Sequence, residues 1–398
     1  MTTNNTDNLM NNYARLPVTM VRGKGSWLWD DQGKQYLDAL SGIGVCGLGH
    51  AHPAVSSAIA EQASSLIHCS NLYHIEAQEE LAHRLCQLSS MDRVFFGNSG
   101  AESIEAAIKL ARMYGHQKGV KQPTIIVMEN SFHGRTLATL SATGNRKVQA
   151  GFEPLVQGFI RVPFNDIAAI ETAGKNCADV VAVLVEPIQG EGGINVPDAE
   201  YLPAIRSLCD QNGWLMMLDE VQTGIGRTGK WFAFQHADVI PDVISLAKGL
   251  GNGVPIGACL AAGAAAEVLK TGSHGSTFGG NPLVCKAALA VLHTIEQEHL
   301  LPRATQLGQH IIASLNEQLQ HNAAVAEVRG RGLMMGIELR HDCSELLTQA
   351  LANGLLISIQ AGRVIRLLPP LTTSDEEANQ IVDLVVKLIN AFAKQQAA

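Results

Sequence analysis

The sequence of 398 residues lacks the marks of several protein classes. It contains no run of about 18 consecutive apolar residues, so no membrane-spanning helix is predicted. The first residues, Met1–Asp7, are polar and include neither a basic nor an apolar segment, which predicts a cytoplasmic protein. The net charge is −8 and basic residues do not cluster with aromatic ones, which argues against nucleic acid as a partner.

Cysteine pairs and metal-binding patterns are also missing. The eight cysteines are scattered without a CxxC pair, and none of the 14 histidines belongs to an HExxH motif. Reduced and mostly buried thiols are therefore expected. His50 and His52 are the best metal candidates, but Gly49 and Pro53 flank them in a turn-like segment, which favours a structural role or a place near a cofactor. We predict no metal site.

The sequence is rich in apolar runs that alternate with helical periodicity. Hydrophobic residues make up 46% of the chain, enough for a large core. Between about residues 53 and 290 the alternation predicts an α/β fold, in which helices flank a mostly parallel, doubly wound sheet. The predicted strands are Arg93–Phe96, Thr124–Met128, Val180–Glu186, Trp214–Asp219, Val243–Leu246 and Ile256–Ala261.

The two ends of the chain have a different pattern. The start resembles a small β meander with a hairpin turn at Asp31–Lys34, and the end contains a helix, short strands and a final helix. Ser374 and Glu377 predict a capping box at the start of that final helix. We therefore predict a large domain of residues 53–299 and a small α+β domain built jointly by residues 1–52 and 300–398. Its predicted strands are Ser26–Asp30, Gln35–Asp38, Gly332–Leu339, Leu355–Ile359 and Val364–Leu367.

Two polar side chains follow apolar runs of the central region. Asp219 ends the run that begins at Trp214, and Lys248 follows the run Val243–Leu246. Open α/β sheets bind ligands at the carboxyl ends of their strands, so a shared site is expected. The pair suits pyridoxal phosphate, because a lysine can hold its aldehyde as a Schiff base while a carboxylate keeps its ring nitrogen protonated. The spacing alone equally allows an ordinary surface ion pair.

Further strand ends carry polar groups, each with two interpretations. Gly97–Glu102 lies between a strand and a helix, so its free amides form either a phosphate cradle or a plain helix cap. Glu186 either orients an arginine in a site or lies solvated in a loop. Phe132 and Arg135 suit stacking on a flat ring and binding of a carboxylate, or they are simply a core and a surface residue.

Two familiar phosphate patterns are rejected. Gly42–Gly47 fits GxGxxG, but no helix is predicted directly after it, so the dinucleotide context fails. Gly224–Lys230 fits most of a P-loop, but Trp231 stands where the magnesium-binding Ser or Thr belongs.

In chain order, these segments resemble the class III, fold type I pyridoxal-phosphate aminotransferases over nearly the whole chain. Each motif is weak by itself, whereas the ordered set is specific. The segments that carry the resemblance are Leu48–Pro53, Gly97–Glu102, Phe132–Arg135, Glu186–Pro187, Asp219–Gly224, Lys248–Gly249, Gly275–Pro282 and Ile365–Pro370.

The resemblance implies pyridoxal 5′-phosphate as the cofactor. Lys248 would carry it as a Schiff base and move the reacting proton, and Asp219 would pair with its ring nitrogen. Gln222 is expected beside the phenolic oxygen and Phe132 against the ring face.

The resemblance also implies a homodimer. The amides of Gly100 and Ala101 would hold the cofactor phosphate, and Thr277 would reach the phosphate bound in the partner subunit.

The activity implied is ping-pong transamination of N2-acetyl-L-ornithine with 2-oxoglutarate, which yields N-acetyl-L-glutamate 5-semialdehyde and L-glutamate in arginine metabolism. Arg135, helped by Ser276, would bind the α-carboxylate of N-acetylornithine. Arg366 would bind the carboxylate nearest the reacting carbon. Glu186 would act as a switch that occupies Arg366 when the amine substrate brings no carboxylate there. On this hypothesis, Glu186→Ala shifts preference towards α-amino acids.

Other activities stay open at this point. Succinylornithine, ornithine and 4-aminobutyrate transaminases are close alternatives, because acyl-group preference depends on pocket shape. A non-catalytic metabolite-binding protein on the same fold is a remote alternative. The joint presence of Lys248, Asp219 and Gln222 disfavours that alternative, because a binder has no need of all three.

Overall fold

The computed structural model describes residues 8–396 and contains three β-sheets. The strands are β1 Met20–Lys24, β2 Trp27–Asp30, β3 Gln35–Asp38, β4 Arg93–Gly97, β5 Thr124–Met128, β6 Phe159–Val162, β7 Val180–Val185, β8 Leu215–Asp219, β9 Val243–Leu246, β10 Gly257–Ala261, β11 Val325–Arg331, β12 Met334–Leu339, β13 Leu355–Leu356, β14 Ser358–Gln360 and β15 Val364–Leu367.

Helices cover the faces of these sheets. They are α1 Ser41–Gly44, α2 Pro53–Ser65, α3 Glu76–Ser89, α4 Gly100–Gln117, α5 Leu137–Ala142, α6 Arg146–Gln149, α7 Ile167–Asn176, α8 Tyr201–Asn212, α9 Gly263–Ala266, α10 Pro282–Gln297, α11 Leu300–Leu319, α12 Leu346–Ala352 and α13 Asp375–Gln396. Across the described residues, 8–396, no helix is both long enough and apolar enough to cross a membrane.

The central sheet has seven strands in the order β4-β10-β9-β8-β7-β5-β6. Strand β10 runs antiparallel to both neighbours, and the other pairs are parallel, which confirms the predicted mostly parallel α/β sheet. Its middle strands are buried along their whole length, because apolar clusters cover both faces. Neighbouring parallel strands therefore expose only their ends, and their carboxyl ends meet at one edge.

The two chain ends pack together. Strand β13 pairs in parallel with β3, Leu355 opposite Leu37, so residues from both ends share one sheet. The third sheet has the order β11-β12-β15-β14. The division into domains at residues 52 and 299 stays a prediction.

Some predicted elements are confirmed and others are corrected. The capping box is present: Glu377 N donates to Ser374 Oγ over 3.1 Å and Ser374 N donates to a Glu377 carboxylate oxygen over 2.9 Å. The single strand predicted for Leu355–Ile359 is wrong, because Ile357 interrupts it and its halves join different sheets.

Candidate functional site

A cavity of about 400 Å³ opens at the carboxyl edge of the central sheet. Segments that follow β4, β5, β7, β8 and β9 line it, together with the segment that leads into β10. Eight of the eleven sequence-predicted site residues line this cavity. They are Gly100, Ala101, Phe132, Arg135, Glu186, Asp219, Gln222 and Lys248.

Lys248 and Asp219 lie at adjacent strand ends. Strands β8 and β9 are parallel neighbours, with Asp219 opposite Ser245, and Lys248 begins a short 3-10 turn just beyond β9. Burial lowers the pKa of the Lys248 amine, and the nearby Glu191 carboxylate partly opposes the shift. Lys248 has φ of 44°, a left-handed conformation that is uncommon outside glycine. The turn thus holds a readily deprotonated amine at the cavity.

A histidine holds the Asp219 carboxylate. His133 Nδ1 lies 2.8 Å from Asp219 Oδ2, and both side chains are buried. Because a carboxylate accepts hydrogen bonds, His133 Nδ1 is the donor. The other carboxylate oxygen accepts from Val221 N over 3.0 Å. These two contacts fix the direction in which Asp219 faces the cavity.

The start of α4 provides an anion-binding end. Ser99 caps the helix by accepting from Glu102 N over 3.2 Å, and Asn98 N donates to Glu102 over 2.7 Å. The first amides of a helix have no partner inside it, so those of Gly100 and Ala101 are free for an anion. A side chain at Gly100 would meet Val221 at 2.8 Å, so glycine is required where the loop after β8 crosses the helix end.

Glu186 is buried between two backbone amides. Its carboxylate accepts from Phe132 N over 2.8 Å and from Gly190 N over 3.0 Å. Burial raises the pKa of Glu186 to about 7, and the nearby Asp219 carboxylate acts in the same direction, whereas His133 opposes it. This carboxyl group therefore holds the loops after β5 and β7 together.

The expected pairing of Glu186 with Arg366 is not found. Arg366 Nη1 instead lies 2.5 Å from Glu191 Oε1, and Arg366 Nε donates to Ser358 Oγ over 3.0 Å. Glu191 lines the cavity, whereas Arg366 lies buried behind it on β15. With its amide oxygen and nitrogen exchanged, Gln360 bridges both partners, 3.1 Å from Glu191 Oε2 and 2.8 Å from Arg366 Nη2. The carboxylate available to Arg366 is thus Glu191, because the two backbone amides hold Glu186.

Three other predicted residues differ in their distance from the cavity. Arg135 lies at its exposed mouth, with its guanidinium 5.6 Å from the centre of the Phe132 ring. Ser276 lies one residue behind the lining, where Asn98 Nδ2 donates to its hydroxyl over 3.1 Å. Thr277 is exposed on the surface and does not line the cavity.

The lining residues fit pyridoxal phosphate. Gln222 Oε1 and His133 Nε2 are buried and lack a hydrogen-bond partner within residues 8–396. Buried polar atoms are normally paired, so two such atoms on cavity-lining residues point to a polar ligand. An amine at Lys248, a carboxylate at Asp219 and the free amides of α4 match the aldehyde, ring nitrogen and phosphate of that cofactor.

The roles of Glu191 and His133 are not evident from the sequence. Glu191 sits in Gly190-Glu191-Gly192-Gly193, and a lone carboxylate among glycines shortly after a strand end is a signal that could have identified it. His133 lies inside the Phe132–Arg135 motif, but nothing in the sequence pairs it with Asp219.

Comparisons with known proteins agree with this geometry. The family model described as "Aminotransferase class-III" matches residues 9–389. An acetylornithine aminotransferase of Nitrosomonas europaea is 59% identical over 98% of this chain and 99% of its own length. One of Aquifex aeolicus is 48% identical over 96% and 99%.

Solved structures show the same likeness. The ornithine aminotransferase of Toxoplasma gondii superposes with a TM-score of 0.94 at 35% identity and covers 98% of this chain and 94% of its own. The acetylornithine aminotransferase of Elizabethkingia anophelis reaches 0.87 at 38% identity and covers 97% of each chain. Because the family model matches nearly the whole length of this chain, the chain belongs to the class III aminotransferases, a family of pyridoxal-phosphate-dependent enzymes.

Proposed function

We propose that this enzyme transfers the terminal amino group of N2-acetyl-L-ornithine to 2-oxoglutarate, forming N-acetyl-L-glutamate 5-semialdehyde and L-glutamate. The observation that carries the reaction type is the partly buried Lys248, which lines the same cavity as Asp219 at the end of the neighbouring strand. The names of the relatives at 59% and 48% identity support the substrate. Arginine metabolism is the corresponding cellular role.

The lining residues divide the chemistry among them. When bound, the cofactor supplies an electron sink that stabilises negative charge on the substrate carbon. Lys248 Nζ takes the proton from the carbon that bears the amino group, because its lowered pKa leaves it unprotonated more readily than an ordinary lysine. Asp219 would hold the ring nitrogen, Gln222 the phenolic oxygen and Phe132 the ring face, since all three line the cavity.

The two substrates place different demands on Arg366. In a ping-pong reaction both use one site, yet only 2-oxoglutarate carries a carboxylate next to its reacting carbon. Arg366 binds that carboxylate, and Glu191 neutralises Arg366 while the amine substrate is bound. Arg135 at the mouth binds the far carboxylate of either substrate, and Ser276, which accepts from Asn98 behind the lining, assists it.

The proposal includes a cytoplasmic homodimer of two-domain subunits. The homodimer is supported by an apolar surface that includes Leu72, Tyr73 and Phe278, which are 86%, 68% and 61% exposed. Such a surface favours burial against a second copy. Thr277 is next to Phe278, where it would reach the cofactor phosphate of the partner subunit.

The activity can be tested one half at a time. We expect that N-acetylornithine, added to cofactor-loaded enzyme without a keto acid, bleaches the visible absorbance band of the bound cofactor. Adding 2-oxoglutarate should restore the band, because the amino group then leaves as glutamate.

Each other outcome selects an alternative. A band that N-acetylornithine leaves unchanged would move the substrate to succinylornithine, ornithine or 4-aminobutyrate. Ornithine is the foremost of these, because the Toxoplasma gondii ornithine aminotransferase shares the fold so closely. If no band forms at all, a non-catalytic binding protein is favoured.

Glu191→Gln should weaken the distinction between the two kinds of substrate. The amide leaves Arg366 without a neutralising charge, so amines with a neighbouring carboxylate should react relatively better. We expect the ratio of kcat/KM for glutamate to that for N-acetylornithine to rise roughly tenfold, the usual scale for a lost charged hydrogen bond.

A matched variant, Glu186→Gln, distinguishes the role of Glu186 from that of Glu191. Glu186 bonds two backbone amides and not Arg366, so its loss should affect both substrates alike. If Glu186→Gln changes the ratio and Glu191→Gln does not, Glu186 and not Glu191 is the carboxylate that neutralises Arg366.

A further inference from the structure

The segment that carries Glu191 is a tight hairpin, here named the gate hairpin, residues 189–195. Gln189 and Asn195 pair in an antiparallel bridge at its base. The amides of Gly193 and Ile194 both donate to Gly190 O, over 3.3 and 3.4 Å. Glu191 lies inside this short loop, so its position depends on how the whole hairpin is held.

The gate hairpin returns through a strained residue. Ile194 has φ of 56°, in the left-handed region that β-branched residues rarely adopt. Its side chain is fully buried in a small apolar cluster with Ile188, Met334 and Leu368. A residue keeps such a conformation only where its surroundings enforce it, so other residues must hold the second half of the gate hairpin in place.

Arg329 of β11 supplies that restraint. Its Nε donates to Ile194 O over 2.9 Å and its Nη2 donates to Gly193 O over 2.7 Å. The guanidinium is itself held by Glu327 and Glu338, each 2.7 Å from Nη1. The side chain is only 14% exposed, so these bonds are largely shielded from water.

Arg329, which holds the gate hairpin, and Arg366, which pairs with Glu191, lie on the same sheet. Arg329 lies on β11, whereas Arg366, the partner of Glu191, lies on β15 of the same four-stranded sheet. A side chain at Gly193 would lie 3.3 Å from Val364 of β15. The same sheet therefore positions both the gate hairpin and Arg366, the partner of Glu191.

We propose that Arg329 is a positioning residue that sets how readily Glu191 leaves Arg366, and hence how the enzyme balances its amine and keto-acid substrates. This inference rests on the function proposed above for the Glu191–Arg366 pair. A lysine at position 329 keeps the charge but cannot donate in a fork to two successive carbonyls. The gate hairpin then relaxes, and a dicarboxylate displaces Glu191 at lower cost.

The test measures binding of glutarate, which has the carbon skeleton of 2-oxoglutarate without a reacting carbonyl. We expect Arg329→Lys to lower the Kd of the cofactor-loaded enzyme for glutarate roughly three- to tenfold, as titration calorimetry would show. Arg340→Lys is the matched control, because the Arg340 side chain donates to Ala323 O and does not touch the gate hairpin. Its Kd should equal that of the wild type.

A double variant tests whether Arg329 acts through Glu191. Glu191→Gln alone should tighten glutarate binding, and adding Arg329→Lys to it should tighten binding no further, because coupled residues are not additive. Full additivity would overturn the inference. Unchanged binding in Glu191→Gln would instead overturn the proposed role of the Glu191–Arg366 pair itself.

Hydrogen exchange gives a readout independent of ligand and activity. The amides of Gly193, Ile194 and Asn195 should exchange faster in Arg329→Lys than in Arg340→Lys, because the gate hairpin opens more often. If Arg329→Lys does not fold, Glu338→Gln replaces it, since it loosens the guanidinium without touching the gate hairpin. Equal exchange in variant and control would contradict the inference.

Discussion

Replacing Lys248 with alanine should reduce transamination by at least about 10³-fold, the usual scale for losing both a positioned base and a covalent attachment point. Lys248 is partly buried at the cavity, and the lowered pKa of its amine is produced mainly by that burial. No other lysine lines the cavity within residues 8–396, so no neighbour can take its place. Steady-state kinetics of the cofactor-loaded protein measures the loss directly.

Lys248→Arg separates charge from proton transfer. A guanidinium keeps the positive charge but does not give up its proton near neutral pH, so this variant should be as inactive as alanine. Lys230→Ala is the control, because its exposed amine bonds only Gln235 O, away from the cavity. Activity in Lys248→Arg within tenfold of the wild type would show that Lys248 contributes charge rather than proton transfer.

The sequence allowed the strand ends of the site to be predicted, because buried parallel strands are continuous apolar runs that stop abruptly. Thr124–Met128 and Val243–Leu246, two such strands of the central sheet, have their predicted bounds. Asp219 is the last residue of one such strand, and Lys248 comes two residues after the end of another. The open interpretation of a surface ion pair is excluded, because Asp219 is 5% exposed and both residues line one cavity.

Strands without a strong apolar run, such as β6 and β11, are not predicted from the sequence. Strand β6 is a short edge strand that contains Arg161, and β11 alternates charged and apolar residues on a partly exposed edge. Strands of this kind gain stability from their neighbours, so their own residues give little signal.

The partner of Arg366 could not be read from the sequence for a different reason. Glu186 and Glu191 are five positions apart and both follow β7. Backbone amides of Phe132 and Gly190 hold the first, and the turn of the gate hairpin carries the second to the sheet that holds Arg366. Such a choice depends on contacts between segments remote in sequence, which residue spacing does not encode.

Asp219→Asn should have the second-largest effect, a fall in kcat of roughly 10²- to 10³-fold, because electrostatic stabilisation of charge is a major term in catalysis. The amide has the same shape but lacks the charge that, in the proposed function, would keep the cofactor ring nitrogen protonated. His133→Gln should cost less, about tenfold, because it removes the 2.8 Å hydrogen bond that aims the carboxylate but not the carboxylate itself.

Asp242→Asn is the matched control for this prediction. Asp242 immediately precedes β9 at the opposite edge of the same sheet, where it accepts from Met216 N and Arg206, each over 2.7 Å. Its replacement should lower the melting temperature while leaving kcat near the wild-type value, since it lies far from the cavity lining. If Asp242→Asn lowered kcat as much as Asp219→Asn, the loss would reflect the stability of the sheet. A fall confined to Asp219→Asn and, more weakly, His133→Gln would assign the effect to the charge that Asp219 would provide for the cofactor ring nitrogen.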